Sequence, residues 1–377
     1  MKTADVFICG DILNKNKEDG LICSEEFSKV ISSADYSACN FEAPIEGFGK
    51  PEAKPGTHHN QKATTISGLK QQGFNLLLLA NNHMLDYGMQ ALVATIKKAK
   101  KNNLDTLGAG LNEDDAYLPL IKKINGLTIG MLNACEAQYG EIGIEEGEDK
   151  AGYAWINHPA IEKNIIKLRQ ECDFVLVFAH AGLEHYPIPQ KEWRAKYRHF
   201  CDLGADAVIG AHPHVPQGFE RYGKSIIFYS LGNFFFDTKN KENNSFAVKL
   251  NLAKGQKLHF DIIQHYTKAG KVHLAPKEKW VNINELNALL EHDKYWNRHD
   301  KMTLETFKKI KRSLAISVFL PIPLSGSFKD FSRMLASFIF KRNKSKYKDL
   351  YQLHLLKNET YYYVIKNAIE LKTKKRY

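Results

Sequence analysis

A chain of 377 residues with 44% hydrophobic and 25% charged side chains suits one large domain plus an appendage, or two domains, and its near-average composition predicts a sizeable packed core. Lys and Arg number 53 against 42 Asp and Glu, a formal net charge of +11. That surplus favours an anionic small molecule, polymer or lipid surface as partner; with no nucleic-acid motif beside it, nucleic acid is the weaker choice.

The apolar stretch Val6–Cys9 is too short for a secretion signal. The longest apolar run, Leu314–Leu324, is broken by Pro321 and Pro323 and falls short of a membrane span. Six scattered cysteines with no C-x-x-C pair point to buried thiols in a reducing compartment, and hence to the cytoplasm. Up to about residue 280, short apolar runs alternate with amphipathic stretches. Ala4–Gly10, Tyr36–Phe41, Phe74–Ala80, Phe174–Ala179 and Ala207–Ala211 read as buried strands, and Ser24–Ser33, Thr64–Gln72, Met89–Lys101, Pro159–Gln170 and Gln190–Leu203 as helices. That rhythm implies a largely parallel sheet with helices on its faces. After Gly210, Val215–Tyr222, Ser225–Leu231, Ser245–Leu252, Leu258–Tyr266 and Lys271–Ala275 read as hairpin-connected strands. They are expected to form a second, more antiparallel sheet against the first, giving an α/β four-layer α/β/β/α sandwich. Residues 281–377 are expected to form a basic, helical C-terminal region, with helices over Asn282–Asp293, Thr303–Ser317 and Lys344–Lys372.

Polar residues able to hold metal recur directly after the apolar strands: Gly10-Asp11, Asn40-Phe41-Glu42, Asn81-Asn82-His83, His180 to Glu184 and His212-Pro213-His214. In open α/β sheets the loops at the carboxyl ends of the strands converge on a crevice, so residues in phase with the strands are expected at one point. Carboxylate, amide oxygen and imidazole make a mixed O/N set suited to manganese, iron or zinc. Without cysteine ligands a structural zinc knot is disfavoured. A carboxylate can bridge two cations, which together clamp an oxyanion and activate water near neutral pH.

In that order, Gly10-Asp11, Asn40-Phe41-Glu42, Ala80-Asn81-Asn82-His83 with Asp86, His180-Ala181-Gly182-Leu183-Glu184, Gly210-Ala211-His212-Pro213-His214 and Tyr229-Ser230-Leu231-Gly232-Asn233-Phe234 resemble the CapA (poly-γ-glutamate capsule biosynthesis) family, over about residues 4 to 237. That family is similar to calcineurin-like metallophosphoesterases. The resemblance implies a metallophosphoesterase-type sandwich and a centre of one or two divalent ions. Glu42 would bridge; Asn82, His180 and His212 would complete one metal site, and Asp11 and His214 the other. His83, positioned by Asp86, would serve the leaving group. Two departures stand out: the usual Asp-x-His is here Asp11-Ile12-Leu13, so one imidazole is missing, and the usual bridging Asp is Glu42. One bound ion is therefore as compatible with the sequence as two. The implied function is metal-dependent hydrolysis, of a phosphate ester by preference, on an anionic substrate of capsule, poly-γ-glutamate or exopolysaccharide biosynthesis. The alternative is a non-catalytic, metal-containing assembly factor for an anionic surface polymer.

Structural readings compete with each assignment. Asp11 could cap a helix, Asn82 could bend a turn, and Glu184 could orient His180 or meet substrate. Asn40 and Asn81 read as loop-stabilising and His58-His59 as a solvated loop. Ser230 lacks the G-x-S-x-G frame of a nucleophile. The basic run Lys308 to Arg312 reads as one solvated helix face, with peripheral contact to an anionic membrane as the alternative.

Overall fold

The computed structural model of the chain describes residues 2–143, 150–237, 243–319 and 344–374. Two compact units share these residues, one formed by Met1–Glu52 with His58–Tyr295, the other by Ala53–Thr57 with Trp296–Tyr377.

The first unit opens with β1 (Thr3–Leu13), α1 (Glu25–Ser32), β2 (Tyr36–Phe41), α2 (Thr64–Gln71), β3 (Leu76–Leu78), α3 (Gly88–Lys101) and β4 (Asp105–Leu107). Next come β5 (Ala109–Gly110), α4 (Glu113–Tyr117), β6 (Leu120–Ile124), β7 (Leu127–Cys135), β8 (Glu141–Ile142), β9 (Gly152–Ala154), α5 (Pro159–Glu171), β10 (Phe174–His180), α6 (Lys191–Asp202) and β11 (Ala207–Ala211). The strands β12 (Phe219–Tyr222), β13 (Ser225–Phe228), β14 (Asn233–Phe236), β15 (Asn244–Ala253), β16 (His259–Lys268) and β17 (Lys271–Leu274) follow, then α7 (Ile283–Ala288).

One sheet has the order β17-β16-β15-β1-β2-β3-β4, with β14 also pairing β1; the second has the order β12-β13-β11-β10-β7-β6, and a small third has the order β5-β9-β8. The stretch after Gly210 therefore does not make a sheet of its own. Strands β15 to β17 extend the first sheet antiparallel from β1, whereas β13 adds in parallel to β11 in the second. The physical reason is that apolar alternation shows that a strand has a core face, but not which sheet edge it meets.

The central strands β1, β2, β10 and β11 bury both faces. Along β1, Val6 and Ile8 point between the sheets with Leu176, Phe178 and Ile209. Phe7 and Cys9 point to the other side, against Phe27 and Ile31 of α1, Ile66 and Leu69 of α2 and Leu92 of α3, as the two-residue period of a strand requires. Helices α5 and α6 cover the outer face of the second sheet, packing on β7, β10, β11 and β13 through Ile161, Ile165, Leu168, Trp193, Tyr197 and Phe200. The result is the expected α/β/β/α sandwich. Local chemistry agrees with it: α1 starts at Ser24, whose side chain accepts from the Phe27 amide at 3.2 Å, the usual N-cap bond. All six cysteines are free among the described residues, five of them buried.

The helix α8 (His292–Phe319) runs into the second unit, which also contains α9 (Lys344–Lys357) and α10 (Glu359–Lys374). Within it, Lys372 Nζ sits 4.7 Å from the centre of the Phe307 ring. No described helix is long and apolar enough to cross a membrane. Of the apolar run Leu314–Leu324, residues 320 to 324 lie outside the described residues.

Candidate metal centre

Strands β1, β2 and β3 run parallel, as do β7, β10 and β11, so both sheets deliver their carboxyl ends to the same rim. Asp11 lies in β1 at a register shift against both β2 and β14, a bulge of the kind that re-aims a side chain. The bulge depends on close backbone approach: a Cβ on Gly10 would stand 1.8 Å from the Gly232 carbonyl oxygen, and the Asp11 amide donates to that oxygen at 3.3 Å. Glu42 follows β2, Asn82 and His83 follow β3, His180 ends β10, and His212 and His214 follow β11. Three residues here hold positive φ without being glycine: Ala43 at 133°, His212 at 94° and His214 at 59°. Such backbone is costly, and persists where the surroundings over-determine it, typically at functional sites.

Six of the sequence-derived residues meet. Asp11, Glu42, Asn82, His180 and His212 are buried, and the His214 side chain is 10% exposed. His180 Nε2 lies 3.1 Å from Asn82 Oδ1, 3.1 Å from His212 Nδ1 and 4.0 Å from Glu42 Oε1. On the other side, His214 Nδ1 lies 3.3 Å from Asp11 Oδ2, and His214 Nε2 3.7 Å from Glu42 Oε1. Two ligand groups result, Glu42–His180–His212 and Asp11–Glu42–His214. Glu42 belongs to both. A third, Glu184–His212–His214, brings in Glu184, whose side chain is 48% exposed.

The fit to a cation is tested by Glu42. Both of its carboxylate oxygens are buried, and neither accepts a hydrogen bond among the described residues. A buried carboxylate without a partner is expensive, and burial beside Asp11 pushes its pKa well above the usual range, with His214 opposing. A cation between the two ligand groups removes that cost. Burial and the neighbouring His212 hold the His180 pKa far down, and burial takes His212 to about 4; both are the neutral imidazoles that metal ligation requires. His214 behaves differently. Burial lowers its pKa, but Glu42 and Asp11 overcome burial and lift it to about 10.

His83 and Asp86 stand next to this set. Asp86 is buried, and its Oδ2 lies 2.7 Å from His83 Nδ1.

Four further residues belong to the site although the motif reading passed over them. Asn40, read as loop-stabilising, ties two ligands together: its Nδ2 is 2.7 Å from Asp11 Oδ1 and 3.1 Å from His180 Nδ1. Glu136 follows β7 and accepts from the Gly182 amide at 3.0 Å; its Oε1 lies 3.7 Å from His212 Nε2 and takes a short hydrogen bond from Gln138. Gln138 also accepts from Asn82 Nδ2 at 3.0 Å and lies 3.1 Å from His212 Nε2. Asn133, between the sheets, accepts from the Ala80 amide at 2.8 Å and donates to the Phe178 carbonyl at 3.2 Å, which pins the Asn82 loop to β10. The signal that could have found the last three is the apolar run Leu127–Cys135, a strand in phase with the others. His59, read as solvated, packs its ring 4.4 Å from that of His83.

Fold and site define a class, a two-sheet sandwich whose strand ends carry residues able to hold divalent cations. The chain belongs to the family described as bacterial capsule synthesis protein PGA_cap, whose model matches residues 5–238. It is 34% identical over 226 residues to the capsule biosynthesis protein CapA of Bacillus anthracis, covering 57% of this chain and 54% of that one. To the PGA biosynthesis protein CapA of Bacillus subtilis it is 32% identical over 237 residues, covering 62% of each. The match thus spans between half and two thirds of those relatives. A hypothetical protein from Thermus thermophilus, of known crystal structure, is 16% identical with a TM-score of 0.46, covering 70% of this chain and 99% of its own.

Proposed function

We propose that this chain is a metal-dependent hydrolase, of a phosphate ester by preference, acting on an anionic substrate in capsule, poly-γ-glutamate or exopolysaccharide biosynthesis. The observation that carries the reading is the buried Glu42 carboxylate, shared by two ligand groups and without a hydrogen-bond donor among the described residues. Manganese, iron or zinc, as one or two ions, suits the donor set and when bound supplies Lewis acidity and an activated water. Asn82, His180 and His212 would hold an ion together with Glu42, and Asp11 and His214 would hold a second. Asn40, Glu136 and Gln138 fix the ring orientations of those histidines, as outer partners of metal ligands do. Asp86 keeps the His83 ring in place, and His83 passes a proton from Nε2 to the departing oxygen.

Elemental analysis of the purified protein, with a screen of aryl phosphate mono- and diesters, tests this. Expected are stoichiometric metal, loss of metal and turnover in His180→Ala, and loss of turnover with metal retained in His83→Ala. Metal-free protein that still turns over would sink the reading.

One observation favours a second reading, a metal-containing assembly factor: Leu13, where metallophosphoesterases carry an imidazole, is fully buried. Inactivity towards every ester despite full metal occupancy would select it. Work at the cytoplasmic membrane face through the C-terminal basic residues, without nucleic acid as partner, completes the proposal. Lys308→Glu/Lys311→Glu is expected to weaken co-sedimentation with anionic liposomes.

A further inference from the structure

Beside His83 lie two basic groups without a task in the proposed hydrolysis. Lys15, four positions after Asp11, is partly buried, and its Nζ stands 2.8 Å from His59 Nδ1. An ammonium has only donors, so Nδ1 accepts and His59 carries its ring proton on Nε2. No carboxylate of the described residues lies within ion-pair distance of Lys15; burial lowers its pKa against the more distant pull of Asp86.

His59 is anchored from its backbone. Its amide donates to Asp86 Oδ2 at 2.7 Å, the oxygen that also holds His83 Nδ1, so a single buried carboxylate sets the spacing of both imidazoles. The Phe236 ring lies 6.1 Å from that of His59 and 4.8 Å from that of His214, which keeps the pair one ring's width from a metal-competent residue. Taking an ammonium partly out of water without a counter-charge costs free energy, and such groups recur where the compensating anion arrives with a ligand.

We propose that Lys15 and His59 form an anion subsite beside the metal centre, which takes a carboxylate or phosphate of the substrate other than the group being hydrolysed. This rests on the hydrolase reading and gives it a substrate class, molecules with at least two anionic groups. Lys15 supplies the charge, and His59, 2.8 Å from its ammonium, holds it in place.

Calorimetry on the manganese-loaded full chain tests it with three probes: propylphosphonate, with one anionic head; 3-phosphonopropionate, which adds a carboxylate; and 1,3-propanediphosphonate, which adds a phosphonate. At least one two-headed probe should bind about tenfold more tightly than propylphosphonate, as a charged hydrogen bond allows. Lys15→Met should erase that advantage while propylphosphonate affinity and manganese content stay unchanged, and Lys15→Arg should restore part of it. The probe that loses more identifies the second anion. Protein that holds manganese and hydrolyses aryl phosphates, yet shows no advantage for two heads or the same advantage in Lys15→Met, overturns the subsite alone. Protein that holds none of manganese, iron or zinc overturns the hydrolase reading and the subsite with it.

Discussion

The two sides of Glu42 each set it beside histidine, but those histidines stand in opposite electrical states. On the Asn82 side, the rings of His180 and His212 face one another with no carboxylate oxygen within 3.5 Å of a ring nitrogen, and burial keeps both neutral, their lone pairs available to a cation. On the Asp11 side a single imidazole, His214, stands 3.3 Å from one carboxylate and 3.7 Å from another, and it is a cation in its own right with a pKa of about 10. The difference teaches that ligand identity does not set site strength by itself. The first side is organised to receive an ion, whereas the second already holds a proton that an ion must displace.

The largest effect should come from removing what the sides share. Glu42→Ala is expected to abolish binding on both, by at least about a hundredfold, measured as metal content after desalting. The metal-free variant should melt higher than metal-free wild type, because a buried carboxylate that accepts no hydrogen bond costs about 1–3 kcal/mol. Equal melting temperatures would argue that Glu42 has a partner outside the ligand groups. Next in size, Asp11→Asn should reduce a two-ion stoichiometry to one and leave the ion held by Asn82, His180 and His212. Loss of both would mean that the sides are not separable.

A pH series sharpens the contrast. With His214 protonated up to about pH 10, binding on its side should release close to one proton, so that affinity falls about tenfold for each unit of acidification between pH 9 and 7. On the Asn82 side His212 stays neutral down to about pH 4, so affinity should be nearly flat over that range. Calorimetry in buffers of different ionisation enthalpy counts the protons, and equal release on both sides would break the comparison.

The smallest effect concerns an imidazole away from the centre. His265 in β16 is buried with both ring nitrogens unbonded among the described residues, packed against Phe27 and Phe234. Burial lowers its pKa from 6.5 to about 3. The unfolded chain therefore binds a proton that the folded chain refuses, and stability falls as pH drops from about 6.5 towards 3, by roughly 4 kcal/mol at most. His265→Leu should remove that part of the acid sensitivity without changing metal content. An unchanged acid profile would assign the loss to other groups. A buried neutral imidazole is thus not a ligand by virtue of burial; its neighbours decide.

Much of the site could be read from the residues, because each parallel strand ends in a short loop and the polar residues there fall in phase with the apolar runs. Asp11, Glu42, Asn82, His83, His180, His212 and His214 were legible for that reason. Asn40, Glu136, Gln138 and His59 were not. Asn40 looks like any loop asparagine until Asp11 and His180 stand on either side of it, and Glu136 and Gln138 follow a strand whose apolar run had gone unassigned.

By itself, the sequence determined the strands that carry the ligand residues, their shared carboxyl-terminal rim and the ligand types available there, since these follow from local periodicity and spacing. Tertiary structure alone decided that β15 to β17 complete the sheet begun by β1, that Glu42 lies between two ligand groups, and that otherwise similar histidines are neutral on one side and charged on the other. Those outcomes depend on distances between residues far apart in the chain, and on burial that no stretch of sequence carries alone.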